Sequence, residues 1–531
     1  MIEAITNWLL YGSLSFVMGY TILQAISTDR RPTIHAKTIY QISLYMIPIL
    51  LIVPVVRVIN VLYRQFGLTV GESIQTVLFE YNVGQSWFIS SVISFILIVL
   101  TKKNMGWFHV ILAGLLIAVT SWSSHAASIE GWSGFLGNYI HFLAVTVWIG
   151  VLVVVAWFSS NESIPPAFFK WFSFIAACSV SAIILSGFLL MGIIVPEYVQ
   201  SWLLTYGQLL LIKHLLFLPL LAFGLHHLLL GMREEVKSSL KVKRSFKIEV
   251  VIAFIILLIS AIMTEQTPPH EVIRTLQTES VTPIIQLFIG ENAPIGVIHL
   301  AHSISGLLFM LVAIVAFING CYQLFKNKSL QLSLVSYGVF VLTIYLSLMM
   351  FVQIGANEVD EKVYPTVKDA IMLNYEEAAE LSILQEQLYD DELFVVYTVN
   401  DDDLVAERLL KVEGGYKRLP VAMLTIGGTS VREEDQKIRT FRVQSGNWHD
   451  DDFTYTYVTF GMIQEPPNVA RVQIHYEGGS YIAELEQEVF LNVTSTNEDW
   501  DDQHPIDFLT DDGTVIETYA RNVMEEGVYC H

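Results

Sequence analysis

A chain of 531 residues that is 53% hydrophobic and 12% aromatic, with a mean hydropathy of +0.51, is too apolar for an ordinary soluble protein. Its formal charge of −21 is unevenly placed. Residues 356–531 hold 37 acids against 12 Lys and Arg, a net of −25, so residues 1–355 are slightly basic. Three scattered cysteines (Cys178, Cys321, Cys530) exclude a disulfide framework, and Cys178 and Cys321 are expected as small buried hydrophobes.

Ten apolar segments approach or exceed the ~20 residues that span a bilayer. They run near 5–25, 39–62, 86–101, 107–124, 138–158, 171–195, 205–230, 248–264, 295–319 and 332–355. The first has no cationic leader or small-residue cleavage site and is read as a retained helix. Loops 26–38, 102–106, 159–170, 231–247 and 320–331 together hold 14 Lys and Arg, whereas the alternate loops hold only Arg64 and Arg274. Cytoplasmic loops collect positive charge, which places both termini outside. The expected architecture is an all-α polytopic membrane helix bundle of about ten transmembrane helices, then a mainly β (α+β) extracytoplasmic domain. Its divisions fall at 1–124, 125–269, 270–355 and 356–531.

Segment five opens Asn138-Tyr139-Ile140-His141, which puts an imidazole about one turn inside the outer face, where hydrocarbon offers it no water. His125 closes segment four, and His214 sits in the outer half of segment seven. His299 and His302 open segment nine with an i,i+3 spacing that sets both on one helix face. Met191, Met263, Met349 and Met350 fall at comparable depth. Imidazole and thioether suit Cu(I), so His125, His141, His299, His302 and His214 are the candidate metal ligands. An inner layer holds His109, His226 and His227. The spacings His109 to His125 and His214 to His227 leave open a pair of helices holding two b-type haems. Lys213 needs a counter-charge or a cavity, and Glu265 is its nearest partner by depth. Glu249 is expected as a helix N-terminal charge beside basic residues.

Several stretches in segments five to eight occur in a familiar order: His141 with Trp148-Ile149-Gly150, Ser186-Gly187, Tyr206-Gly207-Gln208 through Lys213, Ile248-Glu249-Val250-Val251, and Leu258 through Pro269. Together they resemble the copper resistance protein D (CopD) family over about residues 125–269, and the first four segments fit that family's helix count. The resemblance implies a bacterial protein of the cytoplasmic membrane that binds copper and imports or transfers it. His125 and His141 fall where the family carries its membrane histidines. A His/Met-rich copper-binding sandwich, often joined to the family, has no counterpart here. The alternatives are a b-type (di)haem membrane oxidoreductase and a membrane anchor displaying a protein-binding ectodomain. The expected partners are the lipid bilayer and, through the acidic domain, an extracytoplasmic copper chaperone or other protein, with no nucleic acid. No phosphate loop, dinucleotide turn or CxxC pair points to enzyme chemistry.

The acidic domain opens with an expected helix over Val367 to Gln387. Apolar runs such as Leu393-Phe394-Val395-Val396-Tyr397 and Val472-Gln473-Ile474-His475-Tyr476, punctuated by Gly-Gly pairs, then predict mostly β-structure, a small sandwich. Asp401-Asp402-Asp403 and His449-Asp450-Asp451-Asp452 are read as solvated loop charge.

Overall fold

The computed structural model describes residues 2–65, 68–101, 106–160, 164–232, 239–269, 272, 275–276, 281–289, 298–326, 328–354, 362–373, 375, 380–400, 403–426, 436–447, 452–463, 469–486, 488–498, 500 and 504–519. Two compact units emerge. One comprises residues 1–270 and 302–351, and the other 271–301 and 352–529.

The first unit is helical throughout. Its elements are α1 (Ile2–Ala25), α2 (Lys37–Gln65), α3 (Val70–Phe79), α4 (Asn82–Leu100), α5 (Trp107–Trp122), α6 (His125–Phe158), α7 (Pro166–Ile194), α8 (Thr205–Met232) and α9 (Ser239–Met263). After the other unit's short α10 (Pro283–Ile289) come α11 (Ile304–Phe325) and α12 (Leu330–Phe351). Eight of the described helices (α2, α4, α6, α7, α8, α9, α11 and α12) are long and apolar enough to cross a membrane, while α5 has 16 residues. α1, 24 residues long, packs against α2, α5, α6 and α9 at the centre of the bundle. Close approach there is a matter of small residues. A Cβ on Gly19 would overlap the backbone of Gly150 in α6, and one on Gly150 would overlap the carbonyl of Ser15. With no hydrophobic drive between helices in lipid, such backbone proximity is a main source of association.

α6 departs most from expectation. It starts at His125, capped by Ser124, thirteen residues before the apolar run at 138. It breaks at Glu130 and Gly131, where Gly131 adopts φ +50, a conformation favouring glycine. Trp122, Trp132 and Phe135 pack tilted or edge-on around the break, and Phe135 stacks on Tyr139. Cys178, expected as buried, is exposed on the surface of α7, and Cys321 is half-buried. On the surface of the unit, α3 carries a reciprocal capping box in which Glu72 Oε2 accepts from Thr69 N at 2.9 Å.

The second unit holds β1 (Ile298–Leu300) paired antiparallel with β2 (Val352–Ile354). The expected helix over Val367 to Gln387 shrinks to α13 (Val367–Met372), because the chain turns into β3 (Leu381–Tyr389). A meander follows through β4 (Glu392–Val399), β5 (Asp403–Val412) and β6 (Gly415–Ile426). The remaining strands are β7 (Gln436–Asn447), β8 (Asp452–Ile463), β9 (Arg471–Tyr476), β10 (Gly479–Glu484), β11 (Val489–Thr496), β12 (Ile506–Leu509) and β13 (Val515–Tyr519). They form a three-stranded sheet ordered β11-β8-β7 and a four-stranded sheet ordered β10-β9-β12-β13.

Alternation along the strands shows how these layers stack. Val458, Phe460, Leu491 and Val493 meet Phe394, Val396, Leu404 and Ala406 of the meander in one core. Tyr457 and Phe490, one residue out of phase, meet Val472, Ile474, Ile506 and Phe508 in another. The three-stranded sheet is therefore the middle layer. The far face of the meander, through Leu393, Val395 and Tyr397, is covered by Val367, Ala370 and Ile371 of α13. β4 is buried on both faces, which explains its unbroken apolar run. Asp401, Asp402 and 448–451 lie outside the described residues, while Asp403 opens β5 and Asp452 opens β8.

Candidate functional site

After the break at Gly131, α6 places His141 ten residues into the membrane-crossing helix, about 15 Å along its axis. That is further from the start of its helix than the apolar run alone implied. Its Nδ1 lies 3.1 Å from Ser186 Oγ of α7, and the ring packs over Gly187, whose absent side chain leaves 3.7 Å to Cε1. Ser186 also donates to the carbonyl of Ala182 at 2.6 Å, which frees its lone pairs for an imidazole N–H. The tautomer that donates from Nδ1 leaves Nε2 as the available ligand atom.

Lys213 and His214 of α8 act on His141 electrostatically and complete a polar group where α6, α7 and α8 meet. His214 Nδ1 is 2.9 Å from the hydroxyl of Tyr198, in the segment joining α7 to α8. That segment is fixed in turn by Gln208, whose side-chain amide donates to Trp202 O at 2.6 Å and toward Met349 Sδ at 3.7 Å. Tyr345 donates to the same glutamine, which ties α12 to α8. Lys213 forms no ion pair among the described residues. Glu265, its expected partner, accepts from Ala4 N at 2.8 Å instead. Beside it, Arg57 of α2 pairs with Glu3 in the first turn of α1 at 2.6 Å.

The other candidates are placed differently. His125 heads α6, on the far side of the break from His141, and is not among the groups that act on it. His299 is exposed in β1 opposite Gln353, and His302 is exposed in the connection to α11. The shared helix face expected of them does not form, because Ser303 caps α11 through its Oγ and the helix begins at Ile304. Among the methionines, Met263 is buried beside Val195 and Leu210, and Met350 Sδ accepts from Ser305 at 3.7 Å. Among the described residues no three His, Cys, Asp or Glu side chains are gathered as a metal cage requires.

His109 and His125 belong to different helices, α5 and α6, so the two-helix arrangement for stacked haems is not built. His109 Nε2 sits 3.3 Å from Leu100 O at the start of α5. The inner layer holds what sequence reasoning missed. Glu249, 1% exposed, lies ten residues inside α9 rather than at a helix start, with Oε2 2.6 Å from His227 Nδ1. Its being the sole acid between Ser239 and Thr264, level with His226-His227, was the available signal.

Fold and site together define a multi-pass α-helical membrane protein with a half-buried histidine–lysine group and a separate β-unit. Residues 2–135 match the copper resistance protein D-like N-terminal domain, and residues 166–263 match copper resistance protein D. Two stretches of the chain's helical part thus resemble the copper resistance protein D family. His125 falls in the first match and His214 in the second, while His141, His299 and His302 lie outside both. The chain is 30% identical over 218 residues to the copper transport protein CutJ of Bacillus subtilis (strain 168), covering 37% of this chain and 39% of that one. The chain therefore spans about two fifths of the length of the curated relative it matches. No solved structure matches it.

Proposed function

We propose that this protein binds copper as cargo in the outer half of its bundle and imports or transfers it across the cytoplasmic membrane. The observation that carries the reading is the group formed by His141 with Ser186, Tyr198, Lys213 and His214, the last four within the residues that match copper resistance protein D. A relative named as a copper transport protein supports the choice of cargo. Two neutral imidazoles suit Cu(I), and a hard, carboxylate-bound cation has no partner in that group. Lys213 opposes a second positive charge there, so a single monovalent ion is the natural occupant. His125, His299 and His302 are capture residues for the same cargo. The net charge of −25 over residues 356–531 raises the local cation concentration and suits a basic or copper-carrying protein partner. Basic loops 26–38 and 231–247 face the cytoplasm and both termini face outward, by the charge rule.

Metal analysis and an absorption spectrum of the purified full-length chain test this directly. Stoichiometric copper without a Soret band is expected, with most of the copper lost in His141→Ala or His214→Ala. A haem spectrum, or full copper occupancy in both variants, overturns the proposal.

A further inference from the structure

The copper path proposed above leaves unused a second set of buried ionisable groups, near the cytoplasmic ends of α8 and α9. His227 Nδ1 is 2.6 Å from Glu249 Oε2, and its Nε2 is 2.9 Å from Ser245 Oγ. The two side chains are 7% and 1% exposed. The apolar span of α9 opens at Val242, so Glu249 stands seven residues, about 10 Å, inside it. The surroundings are aromatic. Phe246 packs edge-on against His227 at 4.6 Å and meets Phe169 and Phe172 of α7. The other ionisable groups that face this region are few. His226 lies 5.6 Å from His227, with its far side on Phe325 of α11. Lys243 of α9 donates to the carbonyls of Ser159 (3.3 Å) and Ser160, and Lys247 points away over Trp157. On α12, Tyr337 is taken up by Cys321. Among the described residues Glu249 is the one carboxylate in the region.

Stripping a charge of water costs several kcal/mol, and a purely mechanical tie between two helices is made as well by apolar residues. Ionisable groups within the membrane therefore point to function. The geometry specifies the chemistry. With Nε2–H donating to Ser245 Oγ, one added proton at the Nδ1–Oε2 contact makes the pair neutral overall whichever partner carries it. Losing or gaining a proton leaves a bare buried charge unless another charge arrives.

We infer that the His227–Glu249 pair is a proton-binding station that exchanges its proton against the charge of a passing monovalent cation. One proton leaves the Nδ1–Oε2 contact for bulk water as one positive charge takes its place at the freed Nδ1 and the Glu249 carboxylate, while Nε2–H stays on Ser245. The proton returns when the cation moves on, and no electron is transferred. What the station is coupled to rests on the copper reading above; its proton binding does not.

Two measurements on the full-length chain in lipid vesicles keep those apart. The first, infrared difference spectra over a pH series without metal, should show a buried carboxyl that gains and loses its proton. That signal should be absent in Glu249→Gln, present in Glu249→Asp, and shifted in midpoint by about one pH unit or more in His227→Gln. The second adds Cu(I) to weakly buffered vesicles and reads about one proton released per ion carried, lost in Glu249→Gln. A carboxyl signal unchanged by Glu249→Gln, or no titrating carboxyl at all, overturns the station and makes the pair a structural tie. If the wild type carries no copper while the Glu249 signal titrates, the copper reading fails and the station stands.

Discussion

Ser186→Ala is the sharpest perturbation of the proposed copper site, because it alters no candidate ligand. The hydroxyl holds His141 Nδ1 at 3.1 Å and so fixes which nitrogen faces the site. Losing a typical net hydrogen bond costs about 1 kcal/mol, some fivefold in an equilibrium constant. Outer partners of metal-bound histidines are worth roughly 10–100-fold in affinity. The two scales meet near tenfold, which is the expected weakening of Cu(I) binding in a competition titration against a chromophoric chelator. Ser186→Thr keeps the hydroxyl and should bind within about twofold of wild type, the spread expected where a hydrogen bond is retained. Gly187→Ala should also be mild, since its Cβ would meet His141 Cε1 at 3.7 Å, an ordinary contact. An unchanged affinity in Ser186→Ala, beside a large loss in His141→Ala, would refute the orienting role.

Gly150→Leu should prevent α1 and α6 from crossing and lower the yield of folded protein in detergent, because a Cβ there already overlaps Ser15 O. A normal melting profile would show that the crossing does not matter. In the β-unit, Phe460→Ala removes a fully buried ring from the core between two sheets and should cost about 3–5 kcal/mol. Calorimetry finding less than about 1 kcal/mol, the range of ordinary surface changes, would contradict the layering. The Asp507 carboxyl is held below its ordinary value, chiefly by Thr518 and then by His475. Its stabilising contribution is therefore full above about pH 4, the unfolded carboxylate range, and is lost as pH falls through the folded value. Asp507→Asn should flatten that acid limb of the unfolding curve and leave the neutral limb sloped as before; an unaltered acid limb would count against the hydrogen bonds of Thr518 and His475 to this carboxylate.

The membrane part was readable because a run of ~20 apolar residues has few alternatives to a spanning helix. Helices α2, α8 and α12 begin or end within a few residues of their apolar runs. What escaped was backbone that composition does not mark. The stretch from His125 to Gly137 mixes serine, glycine and tryptophan and looks like a loop, yet it forms the broken start of α6 and changes where His141 stands along that helix. Ile298-His299-Leu300 looks continuous with α11, but its partner strand lies fifty residues downstream at Val352–Ile354, a pairing no local pattern reveals. The Glu249–His227 pair was hidden for a similar reason: α9 begins at Ser239, among basic residues that made the carboxylate look like an end charge. The five-residue apolar run of β4 did carry a legible message, burial on both faces.

X-ray absorption at the copper edge of the purified, copper-loaded chain tests the central claim most directly. The account predicts a nitrogen-donor shell with imidazole scattering, reduced in His141→Ala and in His214→Ala and kept in His226→Ala. A sulfur-dominated shell, or an imidazole signal untouched by both substitutions, would contradict it.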